Sequence, residues 1–175
     1  MSQDFFKLLN IKTEFDLDLN ELDRNYFQLQ RQFHPDQYVN IEGIKDTAQK
    51  LEYSAKINEA YATLKSPVSR AAYLLSIQGV EMNENTSISD PELLEKSIED
   101  RDVLQEVDEL SELEKFEEEV LLRQSSCFKE FSEYYKNTLI RQAMQVYIQL
   151  KYITRLLEEI SQKKRFISYA TTHNK

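Results

Sequence analysis

The 175-residue chain contains few of the residues that interrupt or cross-link a fold: 2 glycines, 3 prolines, 1 cysteine and no tryptophan. Turn-rich β-sandwiches and barrels use glycine and proline far more often, and two glycines cannot build the phosphate loop of a Rossmann or P-loop site. The single Cys127 excludes an intramolecular disulfide framework and a Cys-rich zinc site. We expect Cys127 to pack as a small apolar residue rather than to act as a nucleophile.

Long hydrophobic runs and targeting signals are also missing. No apolar run approaches the roughly 18 residues that span a bilayer. The first residues, Met-Ser-Gln-Asp, match neither a secretory signal nor an Arg-rich transit peptide. The sequence therefore predicts a soluble protein of a reducing compartment, the cytoplasm, with no membrane partner.

What the chain does contain favours long amphipathic helices, because 41% of its residues are hydrophobic and 30% are charged. The net charge of −9 is uneven: residues 79–119 carry 3 basic and 16 acidic side chains, and residues 120–175 carry 10 and 4. These blocks indicate either neighbouring antiparallel helices of complementary charge or two solvated faces. The basic residues are few and mixed with Glu, so no nucleic-acid partner is expected.

Apolar spacing predicts an all-α fold in the first half of the chain. A short helix is expected near Phe5, and apolar residues then step by 3 and 4 from Leu19 to Phe33, with Asp18 as the N-cap. That helix must end near Phe33, because the residue before Pro35 is disfavoured in the α region. A third helix runs through Ala62 to about Ser66, and Ser66-Pro67 begins a fourth.

The second half predicts a bundle of three long helices. It begins at the cap Ser89-Asp90-Pro91-Glu92, bends near Glu109–Ser111 and ends in a regular apolar stripe from Leu139 to Ile160. Between the halves, Gln78–Ser89 has no helical periodicity and reads as a linker. We predict a first domain at residues 1–77, a linker at 78–89 and a second domain at 90–175.

Catalysis is not expected from this sequence. The only histidines are His34 and His173, and His173 lies in what we expect to be a frayed tail. No serine or cysteine nucleophile is placed near His34, no His/Cys cluster has metal-ligand spacing, and the many glutamates read as solvated helix faces. We predict a protein that is not an enzyme, without a metal or cofactor.

The informative motif is His34-Pro35-Asp36. Taken alone, it is an ordinary helix stop with Asp36 capping a turn. It lies, however, between an amphipathic helix and a second helix that contains Ile57-Asn58-Glu59-Ala60-Tyr61-Ala62-Thr63-Leu64. In motif, order and spacing, residues 1 to about 75 resemble a J-domain, which has an antiparallel helix pair joined by a His-Pro-Asp loop.

This resemblance implies a partner and its contact residues. J-domains bind seventy-kilodalton heat-shock chaperones and accelerate their ATP hydrolysis. By position, His34, Pro35 and Asp36 would contact the chaperone, helped by the basic residues Arg24 and Arg31 of the preceding helix. Gln37 stands where the family often has a basic residue, which would weaken the electrostatic attraction.

The whole chain resembles the HscB-type co-chaperones, since the J-domain is followed by Ser66-Pro67-Val68-Ser69-Arg70-Ala71-Ala72-Tyr73 and an acidic-to-basic bundle. In that family the bundle binds the iron–sulfur scaffold protein, and the J-domain delivers it to a dedicated chaperone. By alignment, the scaffold-binding residues would be Leu94, Ile98, Glu99, Asp102 and Tyr152.

The residues themselves agree in part with that assignment. Leu94, Ile98 and Asp102 share one helical face, where the apolar pair can serve either an interface or the core. Tyr152 sits one residue off the apolar stripe, so we expect it to be exposed, and Glu95 replaces an apolar residue common in the family. Two alternatives remain: a J-domain protein with another client, and a structural protein that oligomerises through its bundle.

Overall fold

The computed structural model describes the backbone of residues 4–33, 44–80 and 91–173, and the side chains of these ranges except 44–48 and 170–173. Throughout that part of the chain, all regular secondary structure is α-helical, as predicted. The helices are α1 (Phe5–Leu8), α2 (Leu19–Phe33), α3 (Ile44–Lys65), α4 (Pro67–Ile77), α5 (Pro91–Glu106), α6 (Leu110–Lys136) and α7 (Ile140–His173). The chain forms two compact units, Met1–Ile77 and Gln78–Lys175.

The helix limits in the first unit follow local signals. The backbone N–H of Asn20 donates to the Asp18 carboxylate at 2.9 Å, which confirms Asp18 as the cap of α2. α2 ends at Phe33, two residues before Pro35. The break between α3 and α4 falls at Ser66, whose hydroxyl accepts the N–H of Ser69 at 3.3 Å.

The first unit is an antiparallel pair, α2 and α3, packed with α1 and α4 around an apolar core. Residue numbers increase along α2 while those of the contacting residues on α3 decrease: Asp23 contacts Lys65, Tyr26 contacts Tyr61, and Phe33 contacts Tyr53. The fully buried apolar side chains come from every helix of the unit: Phe6, Leu9, Leu22, Ile57, Ala60, Leu64, Ala71, Leu74 and Leu75.

In the second unit, α6 and α7 form an antiparallel pair with an apolar seam. The seam's fully buried side chains are Leu113, Val120, Phe131, Ala143, Leu150 and Ile160. At the basic end of α7, Lys164 lies 2.6 Å from Glu117, and Lys163 lies 3.9 Å from Asp108. Of the two interpretations of the charge blocks, these contacts favour neighbouring helices of complementary charge.

The expectation of a frayed tail around His173 is wrong for the backbone, because α7 continues to that residue. The apolar stripe on α7 is also less complete than its spacing suggests. Leu139 precedes the helix and is 41% exposed, whereas Leu150 and Ile160 are fully buried.

Candidate functional site

The His-Pro-Asp motif lies outside the described residues, so the placement of His34, Pro35 and Asp36 stays a prediction. The helices on either side of it are described: α2 ends at Phe33 and α3 begins at Ile44. At the end of α2, the Phe33 ring meets the ring of Tyr53, nine residues into α3, edge-on with centroids 4.7 Å apart. The two helices that flank the motif in sequence are therefore packed against each other at the end of α2.

The Asn58–Tyr61 stretch of α3 holds α2 in place. The rings of Tyr26 and Tyr61 stack with centroids 3.8 Å apart. The Tyr26 hydroxyl donates to Oδ1 of Asn58 at 3.1 Å, the Gln30 amide donates to the same oxygen, and Ala60 is fully buried. These residues thus form the inner contact between the two helices, which leaves the opposite face of α2 open.

A small polar network closes the other end of this pair. The Tyr61 hydroxyl donates to Oδ1 of Asp23 at 2.9 Å, and Lys65 donates to the same carboxylate at 3.2 Å. The hydrogen bond from Tyr61, followed by that from Lys65, holds the pKa of Asp23 below its ordinary value.

Arg24 and Arg31 lie on the open face of α2, and both are exposed. They are seven residues apart, so they are nearly aligned along the helix. Between them lies Phe27, whose side chain is 57% exposed. Phe27 was not among the predicted chaperone-binding residues, although its spacing of three and four residues from the arginines was the available signal. The exposed face therefore combines two cations with one ring.

The outer face of α5 carries four of the five predicted scaffold-binding residues. Leu94 is 49% exposed and Ile98 is 53% exposed, so these side chains belong to the surface and not to the core. Glu99 and Asp102 are exposed beside them. Arg101, which the sequence analysis missed, is also exposed on this face, seven residues after Leu94. We call Leu94, Ile98, Glu99, Arg101 and Asp102 the outer face of α5.

The expected exposure of Tyr152 is wrong, because its side chain is only 9% exposed. Its hydroxyl lies 3.1 Å from Oδ2 of Asp100 and 3.2 Å from the carbonyl oxygen of Ser97. Tyr152 lies beside the apolar stripe of α7, a position that would face solvent if α6 were the only neighbouring helix. In this structure α5 covers that position. Tyr152 lies on the inner side of α5 and is separate from its outer face.

Cys127 is buried on α6, as predicted, and its thiol lies 3.7 Å from Oε1 of Gln149. Desolvation, followed by the nearby Glu130 charge, raises the pKa of this thiol to about 11. A protonated, enclosed thiol is a poor nucleophile. In the described ranges, no cluster of three or more His, Cys, Asp or Glu side chains is placed to hold a metal ion. None of the helices there is long and apolar enough to cross a membrane.

Two family models match the two units separately. Residues 4–73 match the DnaJ domain, and residues 89–161 match the HSCB C-terminal oligomerisation domain. A helix pair with a His-Pro-Asp connection, followed by this helical domain, defines the class of J-domain co-chaperones.

Relatives of known name narrow that class. The chain is 35% identical to the co-chaperone protein HscB homolog of Aliivibrio fischeri over 162 aligned residues. The alignment covers 90% of this chain and 94% of the relative. It is 30% identical to the iron-sulfur cluster co-chaperone protein HscB homolog of Arabidopsis thaliana, over 93% of this chain and 64% of the relative. The chain belongs to the HscB family of iron–sulfur cluster co-chaperones.

Solved structures agree with this assignment. The crystal structure of human co-chaperone protein HscB matches with a TM-score of 0.89 and 27% identity, over 93% of this chain and 83% of that one. The chaperone HscB from Vibrio cholerae matches with a TM-score of 0.86 and 30% identity, over 94% and 99%. The all-α prediction and the resemblance to HscB-type proteins are thus confirmed.

Proposed function

We propose that this protein joins an iron–sulfur scaffold protein to a seventy-kilodalton heat-shock-type chaperone and stimulates that chaperone's ATPase. The bundle binds the scaffold while the His34-Pro35-Asp36 loop engages the ATP-bound chaperone. Tethering raises the local concentration of the scaffold at the chaperone's client site, and ATP hydrolysis then locks the client in. The protein itself makes and breaks no covalent bond, needs no cofactor and acts in the cytoplasm.

The observation that carries the scaffold proposal is the outer face of α5. Leu94 and Ile98, four residues apart, both leave about half of their apolar side chain in water. Asp102 and Arg101 border this pair, so a partner gains apolar burial at the centre and charge selection at the rim. The iron–sulfur context comes from the names of the relatives.

The chaperone proposal is supported by the first unit. Its match to the DnaJ domain covers residues 4–73, and exposed Arg24 and Arg31 give α2 a cationic surface beside the motif. A cationic surface of this kind steers an acidic partner and lets Phe27 add apolar contact on docking. Acidic groups on the chaperone are the partner chemistry that this surface fits.

Steady-state ATP turnover of the chaperone tests the first contact. Wild-type protein should raise the turnover, His34→Gln should abolish the rise, and Arg31→Gln should weaken it most at low salt. Lys7→Gln, at an exposed lysine of α1, is the matched control and should stimulate like wild type. Equal stimulation by wild type and His34→Gln would remove the co-chaperone mechanism.

Scaffold binding, measured by calorimetry, tests the second contact. Leu94→Ala with Ile98→Ala should weaken binding by roughly a hundredfold, because two anchors at the centre of an interface are truncated. Leu121→Ala with Leu122→Ala is the matched control, since these leucines of α6 are 47% and 67% exposed. Equal losses for both pairs would place the scaffold site elsewhere.

A further inference from the structure

The inner side of α5 is unlike the seam between α6 and α7. All 16 residues of α5 are described, and its only buried side chains are those of Ser97 and Asp100. By contrast, α6 buries Leu113, Val120 and Phe131. An apolar contact is non-directional and tolerates rotation of a helix, but a hydrogen-bonded contact does not.

Asp100 is the centre of that polar contact and is 1% exposed. Arg123 of α6 binds its carboxylate with both ends of the guanidinium fork, from Nη1 to Oδ2 at 2.8 Å and from Nη2 to Oδ1 at 3.1 Å. The Tyr152 hydroxyl of α7 lies 3.1 Å from Oδ2. A single carboxylate on α5 is therefore held by both other helices of the bundle. We call Asp100, Arg123 and Tyr152 the Asp100 cluster.

A second polar contact holds the C-terminal end of α5. Lys163 of α7 donates to the carbonyl oxygens of Leu104 at 2.6 Å and Gln105 at 3.1 Å. These are among the last carbonyls of a helix that ends at Glu106, and they have no partner within the helix itself. This contact limits movement of α5 along its axis, since Lys163 is anchored on α7.

On the N-terminal side of the Asp100 cluster, the packing under α5 is loose. A cleft of about 350 Å³ lies under the N-terminal half of α5, lined by Leu93 and Lys96 of α5, Arg123 and Cys127 of α6 and Tyr152 of α7, among others. The buried Nε of Arg123 has no hydrogen-bond partner among the described residues. Close packing is thus not what orients this half of α5, so its orientation depends on the Asp100 cluster.

We propose that Asp100, Arg123 and Tyr152 are positioning residues that set the rotation of α5 and so keep Leu94 and Ile98 turned outward for the scaffold. Asp100 and Ile98 are two residues apart, which separates them by about 160° around the helix axis. Binding Asp100 inward from both neighbouring helices therefore turns Ile98 outward. The proposal rests on the proposed scaffold site, and it adds residues that contact the scaffold only through α5.

The test replaces the polar contact by an apolar one of similar volume, in Asp100→Leu with Arg123→Leu and Tyr152→Phe. Replacing a buried ion pair in this way commonly keeps or raises stability while it removes the directional constraint. We expect an unchanged or higher unfolding midpoint, together with scaffold affinity that falls about tenfold. A loss of affinity in proportion to a loss of stability would overturn the positioning role.

A second readout does not depend on the scaffold. The orientation of α5 can be measured by double electron–electron resonance between two spin labels. The labels are attached at Glu95→Cys on α5 and Glu114→Cys on α6, in a Cys127→Ser background. We expect a narrow distance distribution with the native Asp100 cluster and a broad one with the apolar replacement. Equal distance distributions for the native protein and the apolar replacement would overturn the proposal, whether or not the scaffold binds. If the replacement broadens the distribution but the wild-type protein does not bind the scaffold, only the proposed function is refuted.

Two further variants complete the experiment. Tyr152→Phe removes one hydroxyl and keeps the ring, so it should fold and broaden the distribution partially; no broadening would count against the role of Tyr152. Glu117→Leu with Lys164→Leu removes the ion pair between α6 and α7 at 2.6 Å, which does not involve α5. This control should leave both the label distances and the scaffold affinity unchanged.

Discussion

Each compact unit contains an arginine that bonds inside the fold, Arg70 buried and Arg123 with a side chain 25% exposed, and the two guanidinium groups have different partners. In the first unit, Arg70 is 5% exposed and donates to backbone carbonyls, those of Leu64 at 2.7 Å, Phe15 at 2.6 Å and Lys65 at 3.4 Å. In the second unit, Arg123 pairs with the buried carboxylate of Asp100. One cation therefore ties main-chain segments together, whereas the other is half of an ion pair.

This difference determines what can replace each arginine. The acceptors around Arg70 are main-chain carbonyls, which no substitution can remove, and two of them belong to the last turn of α3. Replacing Arg70 alone therefore leaves these carbonyls without its hydrogen bonds. The Asp100 carboxylate is a side chain, so it can be removed together with its partner. We therefore expect the hydrogen bonds of Arg70 to the main chain to stabilise the first unit, and the pair of Arg123 and Asp100 to act mainly on the orientation of α5.

The largest expected effect is that of Arg70→Leu. Loss of three hydrogen bonds from a charged donor should cost the first unit about 3–5 kcal/mol of unfolding free energy. Urea unfolding followed by circular dichroism, with hydrogen exchange to assign the loss to residues 1–77, measures it. Lys7→Leu, at a lysine whose side chain is 84% exposed, should stay within about 0.5 kcal/mol of wild type. If Arg70→Leu lowers the free energy of unfolding by less than about 1 kcal/mol, the hydrogen bonds of Arg70 to the main chain do not stabilise the first unit as proposed.

A smaller effect is expected for Arg123→Leu, because Lys96 stays 3.5 Å from the Asp100 carboxylate. The single variant should lose about 2–3 kcal/mol, since it leaves a buried charge poorly paired. Adding Asp100→Leu should restore most of that stability. Thermal unfolding of the two variants measures the difference, and a double variant no more stable than the single one would contradict the distinction between the two arginines.

Both units also end a helix in the same way, with different residues at the left-handed position. After α1, Asn10 has φ +50°, and after α6, Thr138 has φ +60°. The next N–H reaches back to Phe6 O and Tyr134 O respectively, as in a Schellman motif. Asparagine tolerates this conformation, but a β-branched residue is strained there.

Thr138→Gly should therefore stabilise the second unit by about 1 kcal/mol, and Asn10→Gly should change the first unit by less than about 0.5 kcal/mol. Chemical unfolding of the two variants, compared at equal temperature, tests this pair. Equal shifts for both substitutions would contradict the greater strain assigned to Thr138.

The smallest effect is a pH dependence of the first unit. The hydrogen bonds from Tyr61 and Lys65 hold the pKa of Asp23 below 3.8 in the folded chain. The stability that this ionised carboxylate contributes is present above its unfolded pKa and is lost as the pH falls through the lowered folded pKa. Asp23→Asn should therefore lower the unfolding midpoint at neutral pH and stop differing from wild type in stronger acid. An NMR titration that places the Asp23 midpoint at or above 3.8 would contradict this.

Sequence reasoning succeeded where the signal is local. Asp18, Pro35 and Ser66-Pro67 each act on their own backbone or on a near neighbour, so both limits of α2, the end of α3 and the start of α4 were predictable from them. The exposed pair Leu94 and Ile98 shared a face by spacing alone, but whether that face was core or surface could not be decided. That choice depends on which side of α5 the other two helices occupy.

Sequence reasoning failed where a partner helix decides the environment. Tyr152 was expected in water because only the stripe of α7 was considered, and α5 covers that flank. Asp100 is one of 16 acidic residues in positions 79–119, and nothing in its sequence neighbourhood distinguishes a buried carboxylate from a solvated one. Its burial becomes possible only because Arg123 and Tyr152, distant in the chain, provide the hydrogen bonds that replace water.

Local signals in the chain were enough to predict the helices, because capping, proline restriction and apolar spacing act within a few residues, and the His-Pro-Asp motif with its flanking helices was enough to predict the family. The burial of Asp100, the burial of Tyr152 and the exposed side of α5 became known only from the packing of the three helices. The physical reason is that these properties depend on hydrogen bonds and desolvation between helices, and the arrangement of α5 on α6 and α7 sets those bonds.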